Sequence, residues 1–244
     1  MKIAANSRTT IVGTSGSGKS YFVKKNIIKK LLIAGNRLVI WDLKFEYAGK
    51  TAVDANYGPN YKIYIAHDAK TLEEAFDGRD AQLTVVQPNM TAGSANVNFA
   101  KVCEFVYRQH NMVFIVDELQ HMQSKQQIHP ALKAIVTQKR AHGVGFVGIS
   151  QRFSHIHNDI LSQSSNLISF AQHNPSDIKQ LQDYMGGIKV PCYECGGKGC
   201  DKCNNGVMES EKYAYLAREP WFKMERCFLL YTDSGEVKVL RSQR

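Results

Sequence analysis

A chain of 244 residues, 43% of them hydrophobic, suits one α/β domain with a small appendage and enough apolar mass to fill its core. With 31 Lys and Arg against 22 Asp and Glu, the formal net charge is +9, a balance that suits an anionic partner such as nucleic acid. A short polar N-terminus and the lack of any 18-residue apolar run argue against a signal peptide and a transmembrane helix, and four of the six cysteines cluster as two C-x-x-C pairs, which fits an intracellular metal site better than secreted disulfides.

The charge is uneven. Residues 1–50 hold ten Lys and Arg against Asp42 and Glu46. Thr9-Thr10-Ile11-Val12 reads as a buried strand and Tyr21 to Leu32 as a helix, on which Lys24, Lys25, Lys29 and Lys30 form a solvated face. Between strand and helix, Gly13-Thr14-Ser15-Gly16-Ser17-Gly18-Lys19-Ser20 fits G-x-x-x-x-G-K-[ST], the phosphate-binding loop of P-loop NTPases. The glycines let backbone N–H groups turn toward phosphate oxygens. Lys19 supplies a cation to the β- and γ-phosphates, and the Ser20 hydroxyl is a ligand for Mg²⁺. The helix that follows aims its positive end at the same anion.

Leu38 to Trp41 is the second predicted strand. It runs into Asp42-Leu43-Lys44-Phe45-Glu46-Tyr47, which, if extended, places Asp42, Lys44 and Glu46 on one side at the carboxyl edge of the sheet. Residues 51–80 are polar, with a turn cluster at 56–60, and read as loops with short elements. Leu83 to Gln87 is a strand, Pro88 to Gly93 a turn, and Ala95 to Gln109 a helix by its apolar spacing. Met112-Val113-Phe114-Ile115-Val116 then runs into Asp117-Glu118, the form of a Walker B strand. Asp117 is expected to hold Mg²⁺, and Glu118 to orient and deprotonate the attacking water.

Pro130 to Arg140 is a helix ended by His142-Gly143, Val144 to Ser150 a buried strand, Asn158 to Gln163 a short helix, Asn166 to Ala171 a strand, and Asp177 to Met185 a helix closed at Gly186-Gly187. Strand and helix alternate from residue 9 to 187, which predicts a mostly parallel sheet covered on both faces.

Cys192, Cys195, Cys200 and Cys203 form C-x₂-C-x₄-C-x₂-C, a spacing that closes a tetrahedral structural Zn²⁺ site, with two disulfides as the alternative. The pattern resembles one cysteine-rich repeat of DnaJ-type zinc domains. Its partner is open between DNA, through Lys189, Lys198 and Lys202, and protein. Cys103 and Cys227 read as core cysteines, and the histidines show no metal-ligand spacing. Lys212 to Leu216, Phe222 to Tyr231 and Glu236 to Leu240 are predicted as strands, with a hairpin turn at Asp233-Ser234-Gly235, adding an antiparallel edge to the sheet.

Arg140-Ala141-His142-Gly143, the strand after it, and Ser150-Gln151-Arg152 at the strand's end resemble the HerA/FtsK superfamily of DNA-pumping ATPases, as do Ser154, Gln163 to Asn166, and Asp42-Leu43-Lys44-Phe45-Glu46. The likeness covers residues 9–187. It implies a RecA-like core that binds ATP, Mg²⁺ and double-stranded DNA in a ring, usually a hexamer. In that family's terms, Gln151 is the γ-phosphate sensor, and Arg140 or Arg152 supplies charge to a neighbouring subunit's ATP. The size and domain content resemble the small genome-packaging ATPases of membrane-containing and double-jelly-roll viruses, which implies a place in host cytoplasm or at a virion vertex, with capsid or vertex proteins as partners. The expected division is an ATPase core over 1–187, a zinc knuckle over 188–208 and C-terminal strands over 209–244. Pore-facing candidates are Gln120 to Gln127 and Tyr57 to Lys62. A nucleotide-switched assembly factor and a small-molecule kinase with a zinc lid are the alternatives.

Overall fold

The computed structural model describes residues 4–48, 61, 63–77, 82–89, 94–186, 189–209 and 211–242. The turn cluster at 56–60 and Gly187 lie outside the described residues, as does the pore candidate at 57–62 apart from Tyr61.

Nine strands form one sheet in the order β11-β10-β7-β1-β6-β5-β2-β4-β3. In chain order they are β1 (Arg8–Val12), β2 (Arg37–Trp41), β3 (Ile63–Ala66), β4 (Leu83–Val86), β5 (Met112–Val116), β6 (Val144–Ser150) and β7 (Asn166–Ser169), then β10 (Cys227–Thr232) and β11 (Val237–Arg241). The first seven are parallel, while β10 runs antiparallel to β7, and β11 to β10. A separate two-stranded ribbon, β8 (Lys189–Pro191) with β9 (Val207–Glu209), frames the four cysteines.

The central strands read as unbroken apolar runs because both of their faces are covered. Successive residues feed opposite sides. Ile11, Ile40, Val113 and Val147 pack with Phe22, Ile27 and Ile28 of the first helix, α1. Val12, Val39, Phe114 and Phe146 face the other side, with Phe99, Leu132, Ile135 and Leu181. Helix α1 runs through Lys19–Phe22, Val23–Ile28 and Lys29–Ile33, and its middle segment is π-helical. Helices α2 (Ala69–Asp77), α3 (Ser94–Arg108), α4 (Pro130–Gln138), α5 (Asn158–Ser162) and α6 (Pro175–Met185) follow.

Beneath the amino ends of the strands, Arg8 is 1% exposed and donates to the carbonyls of Val136 (2.9 Å), Ile135 (2.9 Å) and Val144 (2.8 Å). The Ile135 carbonyl also accepts from the Lys139 N–H that closes α4, so Arg8 ties the end of that helix to the sheet. Burial, and next the nearby charge of Arg140, pull the Arg8 guanidinium down to about 10.

Three sequence readings need correction. Lys212 to Leu216 is not a strand; it belongs to helix α7 (Glu211–Leu216). A period of two would put Tyr213 and Tyr215 on one face, but Tyr213, Ala214 and Ala217 are buried while Tyr215 is 51% exposed, a helical stripe against α6. The strand predicted from Phe222 begins only at Cys227, because Pro220 opens a short helix, α8 (Pro220–Met224). The segment 42–47 is a tight turn, not an extended arm. Phe45 has φ 57°, and the buried Asp42 carboxylate accepts from the N–H groups of Glu46 (3.0 Å) and Tyr47 (2.9 Å).

Candidate nucleotide site and four-cysteine cluster

The loop Gly13–Ser20 leaves the carboxyl end of β1, between β6 and β7 in the sheet. It is tied to both neighbours, since the Gly13 N–H donates to the Ser150 carbonyl (3.2 Å) and the Thr14 N–H to that of Ala171 (2.9 Å). A Cβ on Gly13 would lie 2.6 Å from the Phe170 Cβ, so only glycine lets the loop turn against β7. Lys19 Nζ donates to the carbonyls of Gly13 and Thr14. Burial lowers its pKa to about 8, against the charges of Glu118 and Asp117.

Across a cavity of about 330 Å³ stand Lys44, Glu46, Asp117, Glu118 and Arg226, facing Ser15, Gly16 and the residues from Gly18 to Tyr21. Asp117 directly follows β5 and is 2% exposed, and its Oδ2 has no hydrogen-bond partner among the described residues. Burial, then the charge of Glu118, raise its carboxyl to about 7. A buried carboxylate oxygen without a partner, with the Ser20 hydroxyl on the same cavity, fits a divalent cation, and Mg²⁺ there would be held by Ser20 and Asp117.

Glu118 is 4% exposed and sits in the left-handed region at φ 51°. Gln151 Nε2 donates to its two oxygens at 3.0 and 2.9 Å, Gln120 Nε2 also donates, and Lys44 Nζ forms an ion pair with it. Burial pushes the Glu118 carboxyl up, but hydrogen bonds from Lys44 and Gln151 outweigh it and hold the group below the usual range. A carboxylate kept ionised and aimed by three donors beside a cation site can orient a water. The Gln120 amide oxygen also accepts from the Gln151 N–H (3.2 Å), closing the network.

The arginines separate. Arg140 is exposed near Arg8 at the amino end of β1, roughly 16 Å of strand away from the phosphate loop at about 3.3 Å per residue. It therefore cannot serve its own chain's nucleotide. Arg152 donates through Nε to the buried Asp177 (2.6 Å), whose other oxygen accepts from the Ser154 N–H (2.8 Å). Reaching outward would strand that carboxylate. Two site residues carried no sequence signal. Gln120 lies in a polar stretch with no periodicity. Arg226 precedes β10 and reaches the loop only because β10 is antiparallel to β7. A larger groove of about 910 Å³ runs along Gln120–Pro130 and His157, and it holds no part of the phosphate loop.

The sulfurs of Cys192, Cys195, Cys200 and Cys203 all lie within 4.8 Å of one another, the one candidate metal cluster among the described residues. The separations are 3.9 Å (Cys192–Cys200), 3.7 Å (Cys195–Cys203) and 3.6 Å (Cys200–Cys203). They exceed the ~2.05 Å of a disulfide and match the ~3.8 Å edge of a tetrahedron with Zn–S near 2.3 Å. N–H groups of Gly199 and Cys200 donate to sulfurs, as thiolates require. A Cβ on Gly206 would lie 2.0 Å from the Gly197 carbonyl oxygen, so the two turns of the knuckle touch through backbone alone.

No protein-family model and no curated protein sequence matches the chain. Solved structures do. The genome-packaging NTPase B204 from Sulfolobus turreted icosahedral virus 2 is 19% identical over 99% of both chains, with a TM-score of 0.69. VirB4 of Thermoanaerobacter pseudethanolicus is 12% identical over 97% of this chain and 89% of its own, with a TM-score of 0.64. The bacterial conjugative coupling protein TrwBΔN70 is 10% identical over 98% and 85%, also at 0.64. From phosphate loop to C-terminal antiparallel strands, the chain shares the fold of these three proteins.

Proposed function

We propose that the chain is an ATP-hydrolysing motor that translocates double-stranded DNA and packages a viral genome into a preformed capsid. The observation that carries this is Glu118, held ionised by Gln151, Gln120 and Lys44 at the edge of the phosphate-loop cavity. Such an arrangement serves hydrolysis, which favours a turning-over motor above a switch that only holds nucleotide. Support comes from the end-to-end match to a genome-packaging NTPase that has also been solved with ATP-γS.

In this reading, Lys19 and the loop N–H groups hold the phosphates, Ser20 and Asp117 hold Mg²⁺, Glu118 activates water and Gln151 senses the γ-phosphate. Copies assemble as a ring, a hexamer as the family resemblance implies. Arg140 reaches a neighbour's nucleotide, and Arg152 is the weaker candidate because of its tie to Asp177. The loop from Gln120 to Gln127 faces the pore, where sequence-independent phosphate contacts make binding salt-sensitive. Residues 1–187 form the motor core and 209–244 complete its sheet. The Zn²⁺ knuckle at 188–208 is structural and contacts DNA or a capsid or vertex protein, and the motor works in host cytoplasm and at a virion vertex.

The test is steady-state ATP hydrolysis with and without double-stranded DNA, for the wild type and Glu118→Gln. We expect DNA to stimulate turnover and Glu118→Gln to abolish it while keeping ATP bound. Turnover indifferent to DNA would overturn the motor reading.

A further inference from the structure

Arg226 is a cation in the nucleotide cavity that neither the motif logic nor the subunit-bridging role assigned to Arg140 uses. Its position follows from topology. Strand β10 runs against β7, with Leu229 beside Ser169, so the residue just before β10 comes to the carboxyl end of β7, where the phosphate loop is anchored. There the guanidinium lies over the Tyr21 ring, 5.7 Å from its centroid, and Arg226 Cδ is 4.0 Å from where a Gly18 Cβ would sit.

The backbone is bent to put it there. Arg226 has φ 53°, a left-handed conformation disfavoured for a residue with a Cβ. Its N–H donates to the Lys223 carbonyl (3.1 Å), and its own carbonyl accepts from the Ser242 N–H (3.0 Å). Strain of this kind gathers at ligand clamps and persists where the surroundings fix it. Among the described residues no acidic side chain pairs with Arg226. The adjacent Glu225 is already taken by Arg241. A guanidinium with no carboxylate, beside a loop built to bind phosphate, has its natural partner in the phosphate.

We infer that Arg226 is a nucleotide-binding residue acting in cis, clamping the α-phosphate end of a bound nucleoside di- or triphosphate against the start of α1. The polarity of the cavity sets which end. Lys44, Asp117 and Glu118 gather around Lys19, whose ammonium serves the β- and γ-phosphates. Tyr21 comes two residues after Lys19, on the side where the chain of phosphates leads to the nucleoside. Arg226 therefore supplies charge where Lys19 does not reach. It also makes nucleotide occupancy felt by the C-terminal hairpin that carries it.

This inference rests on the nucleotide-binding reading of the site and deepens it. The experiment is calorimetric binding of ADP and AMP-PCP with Mg²⁺ to the full chain, for wild type, Arg226→Met and Arg226→Lys, with melting temperatures alongside. In Arg226→Met we expect the dissociation constants for both nucleotides to rise about ten- to a hundredfold, as for loss of a charge-assisted pair. Melting without nucleotide should not change, and Arg226→Lys should recover part of the affinity. Equal affinity in wild type and Arg226→Met would overturn the clamp alone. So would unchanged affinity with lost turnover that returns on mixing with Glu118→Gln subunits, since that is the behaviour of a residue acting on a neighbour. A wild type that binds neither nucleotide would overturn the function proposal as well.

Discussion

Lys44 rests its ammonium on the Glu118 carboxylate, joining the turn after β2 to the end of β5 across the mouth of the phosphate loop. Lys44 is 40% exposed and Glu118 only 5% by side chain, so the pair matters for where the carboxylate points more than for stability. In Lys44→Met we expect turnover to fall at least about tenfold, with a stability change of no more than about 1 kcal/mol. Turnover at the wild-type level would show that Gln151 and Gln120 alone hold the base.

The second expectation concerns pH. The Asp117 carboxyl is raised to about 7, by burial first and then by Glu118. A carboxyl that ionises less readily folded than unfolded gives stability that is complete below its unfolded value, about 4, and is lost as pH rises through about 7. Metal-free protein should therefore melt at a lower temperature at pH 8 than at pH 5.5, and Asp117→Asn should flatten that slope. Mg²⁺ with nucleotide should restore melting at pH 8 in the wild type. An unchanged slope in Asp117→Asn would assign the pH effect to other groups.

Arg8 is a structural arginine. Arg8→Met removes the buried guanidinium that donates to the carbonyls of Ile135, Val136 and Val144, and we expect a loss of roughly 2–4 kcal/mol in denaturant unfolding. Arg8→Lys should recover little of it, because an ammonium cannot fan donors to three separate carbonyls as a guanidinium does. Full recovery by lysine would mean that charge alone suffices.

For the cysteine cluster, metal analysis should give one Zn²⁺ per chain. Gly206→Ala should lower zinc occupancy, because its Cβ would collide with the Gly197 carbonyl. The nine-stranded sheet does not pass through residues 192–206, so nucleotide binding should survive. Zinc content equal to wild type in Gly206→Ala would show that the knuckle can open without losing its metal.

What the sequence disclosed follows from the kind of constraint involved. The strands from Leu38 and Met112 are legible because burial on both faces forces unbroken apolar runs, and the strand from Thr9 because the phosphate-loop motif follows it. Cysteine spacing is legible because one metal must be reached by four sulfurs. Helix α7 was not, because its tyrosines favour strands locally, and only packing on α6 decides the matter. Asp42 read as a ligand-facing charge, yet its carboxylate is spent on backbone N–H groups and on Gln87 (3.0 Å). Arg226 depends on strand order across more than half the chain, which no local pattern encodes.

The placement of β1 has a consequence for how the protein comes into being. Its only partners in the sheet are β6 and β7, with Thr9 beside Val147 and Asn166. Strands β2, β4 and β5 can pair with one another as the ribosome delivers them, but β1 must wait for more than a hundred further residues. The phosphate loop is thus synthesised well before it can take shape, so a nascent chain ending before β6 is expected to hold no nucleotide, and competence to bind ATP reports that β6 and β7 have closed on β1.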